Sequence, residues 1–387
     1  MQNHSSAAFV CTAAQQHEHT VLVLQGGGAL GAYQAGAFEA FAAAGVAPDW
    51  VAGVSIGAIN AALIAGNPPP QRVARLREFW QRVSATLAPA PFDVPQPWRP
   101  WANRVSAASA ATFGIPGFFK PRHPAGAFAT LSWYDTAPLK DTLQELADFD
   151  RINRGDVRLS VGAVNVRSGN SEYFDNTRIR LTPEHIMASG ALPPGFPPVA
   201  IGDEWYWDGG IVSNSPLWYV MDEAPDIDAL ILQVDLFSAS GRLPTNLDQV
   251  QERAMDIRYS SKTRFNSSEL QRREALKASF RRLLDKLPPK LRDDADVAHL
   301  SAAARQNHVS LVHLINRHDT GSAGVKDYEF SRATVNELWA AGRADVERSV
   351  AETDWNAAQQ PHEGLRVYDL TAPASGTMPT TGQTGGR

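Results

Sequence analysis

Apolar residues in this chain fall into short continuous runs separated by alanine-rich or amphipathic stretches. That is the pattern of a buried parallel sheet covered by helices. Thr20-Val21-Leu22-Val23-Leu24-Gln25 is the first run and Trp50-Val51-Ala52-Gly53-Val54 the second. Residues 158–166, 228–236 and 309–315 read the same way. Between them the spacing predicts an alanine-rich helix over 32–44, ended by Gly45. A second helix over 56–65 is apolar all round and is stopped by Gly66 and Pro68-Pro69-Pro70. Residues 247–285 are charged and helical. A last helix over 331–350 starts at a plausible N-cap, Ser331, and carries Val335, Leu338, Trp339 and Val346 at helical spacing. Strands alternating with helices predict an α/β fold with a central, mostly parallel sheet covered on both faces.

The chemistry sits where strands turn into helices. Ser55 is the centre of Gly53-Val54-Ser55-Ile56-Gly57, a Gly-x-Ser-x-Gly elbow whose glycines remove the Cβ atoms that would clash in a strained turn. The helix starts directly after Ser55, so its dipole favours negative charge at the serine. Upstream, Gly26-Gly27-Gly28-Ala29-Leu30-Gly31 joins the first strand to its helix, where unpaired N–H groups face whatever lies beyond the strand. That loop has two readings. One is an oxyanion hole. The other is a dinucleotide fingerprint, since Gly26-x-Gly28-x-x-Gly31 matches G-x-G-x-x-G. The fingerprint wants an acid at the end of a second strand, whereas Asp49 precedes one, so the oxidoreductase reading lacks its ribose anchor. Far downstream, Asp208-Gly209-Gly210 follows an aromatic stretch. An aspartate desolvated by aromatic neighbours can accept a serine proton directly, although an ordinary Asp-Gly turn would look the same.

Taken in order, these segments resemble the patatin-like phospholipase family. Its glycine loop, elbow and Asp-Gly-Gly match Gly26 to Gly31, Gly53 to Gly57, and Asp208 to Gly210. A fourth stretch, Ala188-Ser189-Gly190-Ala191-Leu192-Pro193-Pro194-Gly195-Phe196-Pro197-Pro198-Val199, resembles the segment that precedes the family's aspartate. The resemblance implies a three-layer α/β/α fold, a Ser55–Asp208 dyad, and an oxyanion hole from the amides of Gly26, Gly27, Gly28 and Ala29. It also implies hydrolysis of lipid esters without metal or organic cofactor. Many members carry Arg or Lys in the glycine loop where this chain has Ala29-Leu30, which makes ester hydrolysis firmer than a phospholipid substrate. Short-chain or hydroxyacyl esters and thioesters fit the same chemistry, and a non-catalytic lipid-binding scaffold is the non-enzymatic alternative.

A Ser-Asp-His triad would need one of His299, His308, His313, His318 or His362. The elbow comes too early in the chain for that fold's usual strand order, and His313 reads as a residue packed in or beside a strand.

The remaining composition narrows the class. The 387 residues carry a net charge of −5 with acids and bases interspersed, which argues against nucleic acid. A single cysteine, Cys11, leaves no disulfide framework and fits a reducing, cytoplasmic setting. No Cys/His cluster has zinc-ligand spacing. Residues 1–19 read as a flexible segment, 20–240 as the catalytic unit, 241–370 as a mixed helical extension packed on it, and 371–387 as a disordered tail. Within the catalytic unit, 85–135 is a Pro- and aromatic-rich insert placed to roof the site as an acyl pocket or lid, with plain core packing of a long loop as the alternative. Its Phe118-Phe119, with Lys120 and Arg122, offers transient contact with a membrane surface. The bases Arg258, Lys262, Arg264, Arg272, Arg273 and Arg281 read as a solvated helical face, with contact to a substrate carboxylate or acidic partner as the alternative. Oligomeric state is not legible.

Overall fold

The computed structural model describes residues 17–84, 99–122, 131–223, 228–260, 263–291, 294–304, 308–318, 327–351 and 364–371. Its strands are β1 (His19–Leu24), β2 (Trp50–Val54), β3 (Lys120–Pro121), β4 (Tyr134–Asp135), β5 (Arg158–Asn165), β6 (Ser171–Asp175), β7 (Val199–Ile201), β8 (Glu204–Asp208), β9 (Ala229–Asp235), β10 (His308–Ile315) and β11 (Gly364–Asp369). All but β3 and β4 join one sheet, in the order β11-β10-β9-β1-β2-β5-β8-β7, with β6 on the other edge of β5. From β11 to β5 every pairing is parallel, while β6, β8 and β7 are antiparallel additions. The expected Cys11 and tail segments lie outside the described residues, as do Phe92, Trp98, Phe128 and His362.

Side chains alternate across the sheet as strand geometry requires. Leu22 and Leu24 join the larger core with Leu232, Val51, Leu159 and Leu314. Val21 and Val23 face the opposite layer with Trp50, Ile231, Leu311 and Leu217. Helices Gly31–Ala43, Ile56–Ala65 and Arg332–Ala351 cover the first face; Leu217 from helix Leu217–Glu223 and Leu270 from helix Thr263–Leu284 pack on the second. The result is the three-layer α/β/α arrangement. Helix Ile56–Ala65 is buried on every side, which is why its sequence shows no polar stripe.

The carboxy-terminal residues are integral to this architecture. β10 pairs with β9 along its length, from Val309 opposite Ala229 to Ile315 opposite Asp235. The charged stretch read as one helix is two, Leu247–Tyr259 and Thr263–Leu284, and it is followed by Ala295–Ala303. Helix Arg332–Ala351 lies directly on helix Gly31–Ala43 through facing glycines. A Cβ on Gly36 would stand 1.9 Å from the carbonyl oxygen of Trp339, and one on Gly342 would stand 2.0 Å from that of Tyr33. Tyr33 also donates to Asp345 Oδ2 at 2.6 Å, and the Trp339 indole to Glu39 at 2.5 Å, so polar bonds flank the close approach.

Backbone leaves no room at this crossing. Gly36→Val or Gly342→Val is therefore expected to cost about 2 kcal/mol or more, read as a lower urea midpoint at unchanged slope. An unaltered midpoint in both variants would mean that the two helices do not meet there.

Candidate active site

The elbow is built by close backbone packing. β2 ends at Val54, and Ser55 adopts φ 56° and ψ −125°, the one positive φ at a non-glycine residue among those described. Such a conformation costs of order 1–3 kcal/mol and persists only where its surroundings enforce it. Here they do. A Cβ on Gly53 would lie 2.4 Å from Gly57 O, and one on Gly57 2.3 Å from Leu24 O, so the turn presses onto the end of β1. The Ser55 N–H donates to Ser189 Oγ at 3.0 Å, and that hydroxyl donates to Gly162 O at 2.6 Å. Ser189 belongs to the fourth sequence motif, whose local role now becomes visible: it pins the elbow to β5.

Asp208 reaches the serine through the sheet. β2 pairs with β5 as far as Val54 opposite Gly162. β6 occupies the other edge of β5, opposite Ser160 to Val164. The antiparallel β8 therefore takes the edge that β2 vacates, beginning with Asp208 opposite Ala163. The last residue of β8 is thus set next to the residue that follows β2. Gly209 permits the passage, since a Cβ there would lie 2.5 Å from Gly162 O. Ser55 Oγ donates to Asp208 Oδ2 at 2.6 Å, Gly210 N–H donates to Oδ1 at 2.7 Å, and Asp208 N–H is held by Ala191 O at 3.0 Å. Burial raises the carboxyl pKa to about 6, against the lowering effect of the bonds from Ser55 and Gly210.

The glycine loop divides into committed and open amides. Gly26 N–H donates to Asn214 O at 3.1 Å, and Ala29 N–H to Asp327 O at 2.9 Å. The expectation that all four amides of 26–29 face the reacting centre is therefore corrected: Gly26 and Ala29 are structural. Gly27 and Gly28 have no acceptor for their N–H groups among the described residues. Gly28 has φ +56°, and a Cβ there would meet Asp327 O at 2.2 Å. Gly31 plays a packing part, because a Cβ on it would lie 2.5 Å from Ile56 of the elbow helix. Asp49 sits at the opposite end of β1, where its carboxylate accepts from Thr20 N–H at 3.1 Å. The ribose anchor of a dinucleotide site is accordingly a strand's length from the glycines.

A family model described as patatin-like phospholipase matches residues 22–221, more than half of the chain and all four motifs. The chain belongs to the patatin-like phospholipase family. A second model, described as patatin phospholipase, matches residues 257–362. Membership supports lipid ester hydrolase activity. No curated protein matches the chain. Among solved structures, VipD from Legionella pneumophila matches at 14 % identity over 84 % of this chain and 67 % of that one, with a TM-score of 0.33.

In this patatin-like chain Ser55 and Asp208 line a chamber of about 280 Å³. Its walls come from three places. The insert supplies Ala107, Ala110, Phe118, Phe119 and Tyr134, and the fourth motif supplies Leu192 to Phe196. The carboxy-terminal region supplies Tyr259, Tyr328 and Phe330, which sequence reasoning missed because nothing local marks them. Phe118 packs against Phe196 at 5.9 Å and Phe330 at 5.7 Å between ring centroids, and Phe119 against Tyr134 at 4.6 Å. Phe118 and Phe119 are only 7 % and 5 % exposed, so the expected membrane contact by this pair is corrected: they line the interior. Lys120 pairs with Asp135 at 3.4 Å, and Arg122 donates to Tyr134 O at 3.1 Å.

The same region braces the glycine loop. Besides Asp327 O on Ala29, the Tyr259 carbonyl accepts from Gln25 Nε2 and from Asn214 Nδ2, both at 2.9 Å. No described histidine lines the chamber. His313 is buried 3.7 Å from Asp235, His318 bonds Asp345 Oδ2 at 3.0 Å, and His308 lies 3.6 Å from Asp228.

A buried carboxyl with a raised pKa is a stability cost wherever it is ionised. The native state holds the Asp208 proton more tightly than the unfolded chain, so the cost is absent below about pH 4 and complete above about pH 6. Asp208→Asn is therefore expected to stabilise the fold by about 2 kcal/mol at pH 8. The gain should fade as the pH is lowered toward 4, as read by chemical unfolding at a series of pH values. A destabilised variant at pH 8 would show that the carboxylate is held favourably.

Proposed function

We propose that this protein is a serine acyl hydrolase that cleaves carboxylic esters of lipids with Ser55 as nucleophile and Asp208 as base. The observation that carries the reading is the 2.6 Å bond from Ser55 Oγ to a buried carboxyl that lines an apolar chamber. Ser55 Oγ attacks the ester carbonyl as its proton passes to Asp208 Oδ2. The tetrahedral oxyanion accepts bonds from the uncommitted Gly27 and Gly28 amides, with the start of helix Ile56–Ala65 adding its dipole. Collapse breaks the bond to the alkoxide, which leaves with the proton held by Asp208, and Ser55 retains the acyl group. Water then attacks the acyl-enzyme as Asp208 takes its proton, and that proton returns to Ser55 Oγ when the acid departs.

A chamber of about 280 Å³ lies just below the ~300–1,000 Å³ range of ligand pockets. That size suits one acyl chain lying against Phe118, Phe196 and Phe330. It also favours shorter acyl esters within the same mechanism, so acyl length is the open variable of the reading.

Two measurements test it. A fluorophosphonate probe should label the wild-type protein, fail on Ser55→Ala and collapse on Asp208→Asn, with p-nitrophenyl ester turnover falling by ~10⁴-fold or more in each. Label and turnover that survive in Asp208→Asn would assign the base elsewhere. Because the reaction needs ionised Asp208, kcat/KM should rise with pH through an apparent pKa of about 6 and then level. A limb centred near 4 would mean that burial does not control this group.

A further inference from the structure

A second depression adjoins the catalytic chamber. It measures about 610 Å³ and shares Leu192, Pro193, Gly210, Asn214 and Tyr259 with the chamber, so the two lie side by side at these residues. Trp207, Ile211, Val212 and Trp218 line it as well, together with the exposed Arg258 in the last turn of helix Leu247–Tyr259. Among the described residues Arg258 is the only charged one lining the groove, and they show no ion pair for it. Among the described residues the chamber has no cation in its lining; the charged ones there are Asp208 and Asp327. Neighbouring bases are differently employed. Arg253 donates to Ser238 O, Arg272 pairs with Glu269, and Arg273 pairs with Asp222 and lies 5.5 Å over the Trp218 ring.

We infer that this groove receives the alcohol side of the ester and that Arg258 selects leaving groups carrying anionic oxygens, phosphate or carboxylate. The assignment rests on the hydrolase reading above. With the acyl chain against the aromatic wall and the carbonyl carbon at Ser55 Oγ, the alkoxide must lie toward Asp208, which returns its proton. The adjoining groove lies next to Gly210 and is also lined by Arg258. A guanidinium there can pair with a carboxylate or phosphate in a bidentate fork, and a neutral alcohol gains nothing from it.

An arginine in the last turn of a helix can equally serve the helix dipole. The decisive readout is therefore a ratio that stability does not move. Esters of one acyl chain on glycerol phosphate, on a hydroxy acid and on neutral glycerol would be compared in wild type, Arg258→Gln and Arg258→Glu. The ratio of kcat/KM for an anionic ester over the neutral one should fall about tenfold in Arg258→Gln and further in Arg258→Glu. Which anionic ester responds more identifies phosphate or carboxylate as the partner. Flat ratios for both overturn the assignment. Binding of the same esters to Ser55→Ala protein, with and without Arg258→Gln, reads the groove without turnover. No hydrolysis by wild type alongside Arg258-dependent binding would sink the hydrolase reading and spare the groove, whereas hydrolysis with flat ratios would sink the groove alone.

Discussion

The handover on one edge of β5 is the constraint on which the site depends. β2 occupies that edge up to Gly162, and antiparallel β8 takes it from Ala163 onward. Two strands far apart in sequence therefore meet end to end, one delivering Ser55 and the other Asp208. Because strand register is fixed in steps of one residue, a slip of β8 would carry the carboxylate away and turn alternate side chains to the opposite face. The glycines at 53, 57 and 209 serve this junction, each occupying space where a Cβ would strike backbone. Ser189 ties the elbow amide to Gly162 O at the same point, so one peptide of β5 helps position both Ser55 and Asp208.

Placing a carboxylate there sets folding against chemistry. A buried group whose ionised form is penalised makes a better base near neutral pH and a poorer contributor to stability. The surroundings offset only part of the penalty, with one amide from Gly210 and one hydroxyl from Ser55. The strained Ser55 backbone adds to the cost and is held by the packed helix Ile56–Ala65.

The carboxy-terminal region takes part in the site as well as in the sheet. Its carbonyls at Tyr259 and Asp327 receive bonds from Gln25, Asn214 and Ala29, which surround the glycine loop. Its aromatic residues close the chamber against the insert. The facing glycines of helices Gly31–Ala43 and Arg332–Ala351 bring this region close enough to do so. The two matched family segments, 22–221 and 257–362, thus build one cavity.

Much of this was legible along the chain because it is local. The apolar runs at 20–25, 50–54 and 309–315 specify strands, the glycines around Ser55 specify a tight turn, and the motif order specifies the family. What the sequence could not decide depends on contacts between distant residues. Phe118 and Phe119 look like a surface patch by composition, yet Phe196 and Phe330 enclose them. Gly26 and Ala29 look equivalent to Gly27 and Gly28 until Asn214 O and Asp327 O claim their amides. Arg258 is one base in a charged helix until the groove places it beside Gly210 and Trp218. Local pattern determines which backbone a segment adopts, because sterics and periodicity act within a few residues. Which hydrogen bonds are already made, which rings are covered and which charges are left free are set by the packing of segments hundreds of residues apart, and only the tertiary structure decides them.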